Sequence, residues 1–293
     1  MNAVELEGVS REFATPDGRV YRALDGISLV VPAGAFVAIV GPSGCGKSTL
    51  LNIVAGLLPP TAGAIRVYGE PLAGLNRQAT YMFQQDALLP WKTVRDNVAL
   101  GLTLGGAAPA DAHARADAWL TRVGLTGFAA HYPAQLSGGM RKRVAMAQNW
   151  VLDRGMVLMD EPFSALDIHT RQRMETELLS IWEGSPAEPR VAGVTPSPGE
   201  VPVVSGFSRT VRKTVVFVTH DLEEAIALAD EVVILSAGPA AHVVARHTVA
   251  LDRPRDVMEL RTTPEFVDLY RQIWAVLREE VIRSQRSAEA RHG

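Results

Sequence analysis

The sequence predicts an α/β fold: a three-layer domain with an α-helical subdomain inserted in its middle. Three observations carry that prediction. Short apolar, β-branched runs recur at residues 36–40 (FVAIV), 156–159 (MVLM) and 214–219 (TVVFVT), each the right length for a buried strand. The first run enters a glycine-rich loop that opens a helix, which is the strand–loop–helix step of an α/β unit. From about residue 90 to residue 150 the pattern turns helical, with alanine-rich segments such as DAHARADAWLTRVG.

The elements follow in order. Residues 4–9 and 27–31 alternate and are β-branched, so they read as short strands. Pro16-Asp17-Gly18 marks a turn between them, and Pro32-Ala33-Gly34 marks another before FVAIV. A helix is expected over 48–58, stopped by Pro59-Pro60, and AIRVY at 64–68 reads as a further strand. After the strand at 156–159 a helix is expected over 170–182. Residues 252–293 read as one or two amphipathic helices. The stretch 183–210 is foreign to this pattern. It holds four prolines between Pro186 and Pro198 and a fifth at Pro202, and is expected to be a mobile surface excursion, because so long a loop is rare inside a compact domain.

Composition narrows the function. The chain has 293 residues, 47% hydrophobic and 21% charged, with a net charge of -3, so it carries no electrostatic footprint for general nucleic-acid binding. A single cysteine, Cys45, rules out an intramolecular disulfide and fits a cytosolic setting. The first residues, MNAVELEGVSREF, lack the apolar core of a signal peptide. No apolar run approaches the roughly 18 residues of a membrane span, so any membrane role is expected to come through partner chains.

GPSGCGKST, at 41–49, fits the phosphate-loop pattern between a strand and a helix. Its glycines let backbone N–H groups turn inward around phosphate oxygens, so Gly41, Pro42, Ser43, Gly44, Cys45 and Gly46 form the candidate cradle, and the helix N-terminus adds its dipole. Lys47 is expected to reach the β- and γ-phosphates, Ser48 to ligate Mg²⁺, and Thr49 to support the cradle. Cys45 reads as a small residue in a crowded turn, or else as a thiol whose modification blocks the nucleotide. VLMDEP, at 157–162, is an apolar strand ending in two carboxylates. Asp160 suits a metal role there, and Glu161 suits a base that orients an attacking water.

LSGGM, at 136–140, raises a different question. A serine and two glycines open a helix, and Arg141-Lys142-Arg143 follow. Cations near the positive end of a helix dipole are unfavourable by a few tenths of a kcal/mol each, so an anion is expected there.

These motifs, with SALD at 164–167 and THD at 219–221, occur in the order found in ATP-binding-cassette ATPases, and the chain resembles that family over roughly residues 4–260. The resemblance implies a P-loop NTPase fold: a RecA-like core with an antiparallel β subdomain and an inserted α-helical signature subdomain. It implies an ATPase domain over 1–250, with the helical subdomain at about 90–152 and the Pro/Gly-rich insertion at about 183–211, then a C-terminal helical extension over 251–293. ATP and Mg²⁺ are the implied ligands. Gln84, in MFQQ, is implied to sense the metal and water and to touch the transporter interface. Asp167 is implied at a dimer seam, and His220 at the γ-phosphate. Phe13 matches the adenine-stacking position, with Tyr21 a weaker candidate and a plain core role for Phe13 the alternative. Ser137, Gly138 and Gly139 are implied to face the γ-phosphate of ATP held by a second copy, with the following cations beside that tetraanion. The chain is therefore expected to work as a homodimer.

ALLPWKTVRDNV (87–98), LSGGMRKRVAMAQ (136–148), LMDEPFSALD (158–167) and FVTHDLEEAIALAD (217–230) further resemble the nitrate/sulfonate/taurine importer subfamily. That implies transmembrane permease partners, a substrate-binding protein (periplasmic or lipid-anchored) reached through them, and a peripheral position at the cytoplasmic face of the membrane. Nucleic acid is not an expected partner. The alternatives are an ATPase of another transporter class, or a soluble cassette ATPase, against which stand the missing heptad arms, second cassette and basic stripe.

Overall fold

A computed structural model describes residues 1–164, 166–183 and 212–292, with side chains up to residue 286. The chain opens with strands β1 (Asn2–Ala14) and β2 (Val20–Pro32), then β3 (Phe36–Val40) and helix α1 (Lys47–Val54). Strands β4 (Ala62–Val67), β5 (Glu70–Pro71) and β6 (Ala79–Met82) lead into helices α2 (Val94–Leu104), α3 (Pro109–Arg122) and α4 (Gly138–Trp150). Then come β7 (Met156–Asp160), α5 (Ile168–Glu183), β8 (Thr214–Val218), α6 (Leu222–Leu228), β9 (Glu231–Leu235), β10 (Val243–Thr248), α7 (Val257–Leu260) and α8 (Pro264–His292).

Two sheets form. A six-stranded sheet runs β10-β9-β3-β8-β7-β6, parallel except for β10, and a four-stranded antiparallel sheet runs β2-β1-β4-β5. The parallel strands β3, β7 and β8 are buried at every position, which is why they read as continuous apolar runs rather than alternating ones. Their side chains still alternate between two cores. Phe36, Ala38, Val157, Met159, Val215 and Phe217 face the helices α2 to α6 and α8, while Val37, Ile39, Met156, Leu158, Val216 and Val218 face α1 and the antiparallel sheet. The phosphate loop and the acidic strand end thus leave the same edge of a sheet clamped on both faces.

Several elements differ from the sequence reading. The strands expected at 4–9 and 27–31 are the middles of 13-residue strands whose pairing is interrupted by register shifts. The helix expected over 48–58 ends at Val54, because Gly56 takes a left-handed φ of 69° before the prolines are reached. β6, β9 and β10 were not expected. Glu183 closes α5 rather than opening the excursion, and residues 184–211 lie outside the described residues. The flanks of that segment meet: the Trp182 indole donates to the Lys213 carbonyl at 2.7 Å, and the guanidinium groups of Arg212 and Arg253 lie 4.9 and 4.5 Å from the Trp182 ring centroid. Phe266, Ile273 and Leu277 of α8 join the core that holds α5 and α6. Among the described residues no helix is long and apolar enough to cross a membrane.

Candidate nucleotide site

The phosphate loop joins β3 to α1. Ser43, Gly44 and Ser48 are exposed on it, while Gly41, Pro42, Cys45 and Lys47 are buried and Thr49 is half-buried. Gly46 adopts φ 105°, and a Cβ there would lie 2.8 Å from Leu24 Cδ2, so the loop needs glycine both for its backbone and for the close approach of β2. The Lys47 ammonium folds back over the loop, donating to the carbonyls of Gly41 (2.9 Å) and Pro42 (3.1 Å). Cys45 is 1% exposed, packs with the core under α1, and burial pushes its thiol pKa up. The reading of Cys45 as a reactive thiol is therefore corrected: it is a small packing residue, and only its backbone is available to the loop.

At the end of β7 the two carboxylates part. Asp160 accepts hydrogen bonds from the Ser48 hydroxyl (2.8 Å, Oδ1) and from the Tyr81 hydroxyl (3.2 Å, Oδ2). Burial, then the Asp160 charge, raises the Tyr81 pKa, so the phenol stays a donor. Glu161 takes a left-handed φ of 44°, an uncommon conformation for a residue with a side chain. Its Oε2 accepts from Gln84 Nε2 at 3.1 Å and lies 3.4 Å from His220 Nδ1. One carboxylate faces the phosphate-loop helix and the other faces Gln84, from the end of β6, and His220, from the end of β8.

Phe13 and Tyr21 are cross-strand partners on β1 and β2. Both are half-buried, and the Arg11 guanidinium covers one face of Phe13 at 4.7 Å. The pair lies beside the phosphate loop: a Cβ at Gly238 would be 3.4 Å from the Gly44 carbonyl and 3.8 Å from the Tyr21 hydroxyl.

Ser137 caps α4, its Oγ accepting from Met140 N at 3.3 Å, and Ser137 and Gly138 are exposed. Gly139 is a packing glycine, because a Cβ there would sit 2.7 Å from Thr170 Cγ2. Among the described residues no hydrogen bond joins residues 137–139 to the phosphate loop. Asp167 is exposed and caps α5, accepting from Thr170 N at 3.0 Å.

The cations after LSGGM have partners inside the chain that the sequence reading did not anticipate. Arg141 pairs with Asp86 at 3.0 Å and donates to the Leu136 carbonyl at 2.9 Å. Lys142, buried, donates to the Gln84 carbonyl at 2.6 Å and lies 3.5 Å from Asp86. Arg143 pairs with Glu177 at 2.9 Å. The run fastens the signature helix to the Gln84 segment and to α5. Asp86, Lys142 and Tyr81 escape a sequence reading because their partners lie 55 to 79 residues away.

The residues fit a nucleotide and its metal. A hydroxyl and a carboxylate form a hard, all-oxygen pair at Ser48 and Asp160, as Mg²⁺ prefers.

Comparison with known proteins agrees with this geometry. The family model described as ABC transporter matches residues 24–164. An ABC transporter ATP-binding protein of Methanocaldococcus jannaschii is 39% identical over 96% of this chain and 93% of its own length. The taurine import ATP-binding protein of Rhizobium johnstonii is 38% identical over 94% of this chain and 96% of its own. A dimeric ATP-binding cassette in a post-hydrolysis state, bound to ADP and Pi, superposes with a TM-score of 0.67 at 29% identity, covering 85% of this chain and all of that one. The chain belongs to the ABC transporter ATP-binding family: it is an ATP-binding, ATP-hydrolysing transporter subunit with a P-loop NTPase fold.

Proposed function

We propose that this subunit drives uptake of a small oxyanion or organic acid, such as nitrate, a sulfonate or taurine, by working as a homodimer under a membrane permease that is served by a substrate-binding protein. The observation that carries the reading of the site is the convergence of Gln84 and His220 on Glu161 Oε2, at 3.1 and 3.4 Å, beside the Ser48–Asp160 pair. Glu161 accepts a hydrogen bond from the attacking water and Gln84 helps to orient it. Lys47 leaves the loop carbonyls for phosphate oxygens, and His220 meets the γ-phosphate, so that both stabilise charge as the terminal phosphoryl group transfers. Ser48, Asp160 and Gln84 would hold Mg²⁺, which when bound neutralises charge on the β- and γ-phosphates. Phe13 stacks on adenine, and the loop from Gly41 to Thr49 cradles the phosphates.

The exposed Ser137 and Gly138, with no partner in their own phosphate loop, support a site completed by a second copy, with Gly139 and Asp167 at the same seam. The import reading and its substrate class draw on the taurine import relatives, and the subunit accordingly sits at the inner face of the membrane without entering it. The test is purification of the tagged chain from its own membranes, followed by reconstitution. A permease should co-purify, and vesicles holding the complex should take up nitrate, taurine or an alkanesulfonate when ATP is supplied. Vesicles that hydrolyse ATP but transport none of these contradict the substrate class, and failure to recover any membrane protein contradicts the permease.

A further inference from the structure

Behind the candidate site lies a buried cluster of charges that hydrolysis and nucleotide binding do not account for. Three carboxylates, Glu175, Asp221 and Glu224, meet two guanidinium groups, Arg171 and Arg261. Glu175 is 0% exposed and Glu224 2% exposed. Arg261, after α7, takes Glu175 at 2.8 Å. Arg171, in the first turn of α5, has the rest to itself. It donates to Asp221 at 2.8 Å and to the Leu166 carbonyl at 3.5 Å, and its Nε lies 3.5 Å from Glu224. Its own backbone N–H bonds to the Asp167 carbonyl at 2.9 Å.

Those contacts join two segments of the site. Asp221 follows His220 directly, and its other carboxylate oxygen caps α6. Glu224 accepts from the Thr219 hydroxyl at 2.7 Å, which in turn accepts from the Asp221 N–H at 3.0 Å. Residues 219 to 221 are therefore held from behind by Asp221 and Glu224, and Arg171 grips both. The same side chain reaches the carbonyl next to Asp167. A guanidinium is suited to this because its fork of donors serves several acceptors in one plane, which an ammonium cannot do.

We propose that Arg171 is a positioning residue that locks the His220 segment to the Leu166 and Asp167 segment, so that the γ-phosphate contact and the dimer seam are set together. The proposal rests on the reading of His220 and Asp167 given above. It touches no nucleotide, so it acts on turnover rather than on binding.

The test compares wild type, R171M and R171K, each as the full chain. Steady-state ATPase activity gives kcat and KM, and a fluorescent ATP analogue gives the affinity for nucleotide. R171M should lower kcat about tenfold or more, the scale expected when catalytic groups shift by a fraction of an ångström, while leaving the analogue's affinity and the KM within about twofold. R171K, which keeps the charge without the fork, should recover only part of kcat. Because R171M strands buried carboxylates, R171M/E224Q is measured beside it, and the loss of kcat should persist with the fold relieved of one of them. A wild-type kcat in R171M, full recovery in R171K, or a loss of nucleotide affinity matching the loss of kcat would each overturn the proposal. Wild-type turnover in the same assay keeps that failure separate from any failure of the site itself.

Discussion

At Glu161 the backbone turns left-handed immediately after a strand buried at every position, and this aims two adjacent carboxylates at different neighbours. Holding a side-chain-bearing residue there costs about 1–2 kcal/mol, and the Glu161 N–H bond to the Val218 carbonyl at 3.0 Å helps to fix it. Cys45 shows the opposite relation between sequence and role. Its position inside the phosphate loop invites a chemical reading, but its side chain points into the core and burial raises its thiol pKa, so little thiolate forms at neutral pH. Maleimide should accordingly leave the folded chain unlabelled and react only after denaturation. Rapid native labelling, measured by mass spectrometry, would contradict the buried placement.

At the scale of elements, the signature helix is tied to its own chain by all three cations that follow LSGGM. Asp86 receives two of them and the Gln84 carbonyl one, so the Gln84 segment and the start of α4 form one body. The excursion after α5 is anchored differently. Its flanks are brought together by the Trp182 indole on the Lys213 carbonyl, by two guanidinium groups on the Trp182 ring and by the Arg253–Glu183 pair at 2.6 Å. Replacing residues 186–209 by a short glycine-serine linker should therefore leave ATPase activity unchanged, because loop closure depends only weakly on loop length. A collapse of activity in that variant would assign the insertion an essential role.

What the sequence made legible follows from where its information lies. The phosphate loop, the Asp160–Glu161 strand end and the helix start at Ser137 are local patterns, each readable from a few consecutive residues. Strands β6 and β10 were not, because β6 is only four residues long and β10 is a half-exposed edge with no continuous apolar run, whereas β9 carries the buried run VVIL and was legible in principle. The partners of Arg141, Lys142 and Arg143 stayed hidden for a related reason. A helix-dipole argument weighs tenths of a kcal/mol, whereas charge-assisted bonds to Asp86 and Glu177 are worth more, and nothing local announces those partners.

At the scale of the whole molecule, buried charge makes stability depend on pH. Burial pushes both Glu175 and Glu224 up to about 7 from an ordinary value of 4.5. Their protons are held more tightly in the folded than in the unfolded chain, so the stability they add is fully present below about pH 4.5 and is lost as pH rises through 7. E175Q keeps the shape and removes one of the two titrations. Its stability relative to wild type, from urea unfolding, should therefore improve by on the order of 2 kcal/mol between pH 5 and pH 8. A difference that is flat across that range would show that Glu175 stays ionised throughout.

In the proposed mechanism two copies of this chain close on ATP, and Glu161 orients the water that cleaves it. One paired measurement on E161Q tests it most directly: sedimentation with and without ATP, and turnover under the same conditions. E161Q should be a monomer that becomes a dimer holding two ATP molecules and hydrolyses them at least about 100-fold more slowly than wild type. An E161Q chain that stays monomeric with ATP bound, or that turns over at nearly the wild-type rate, would contradict it.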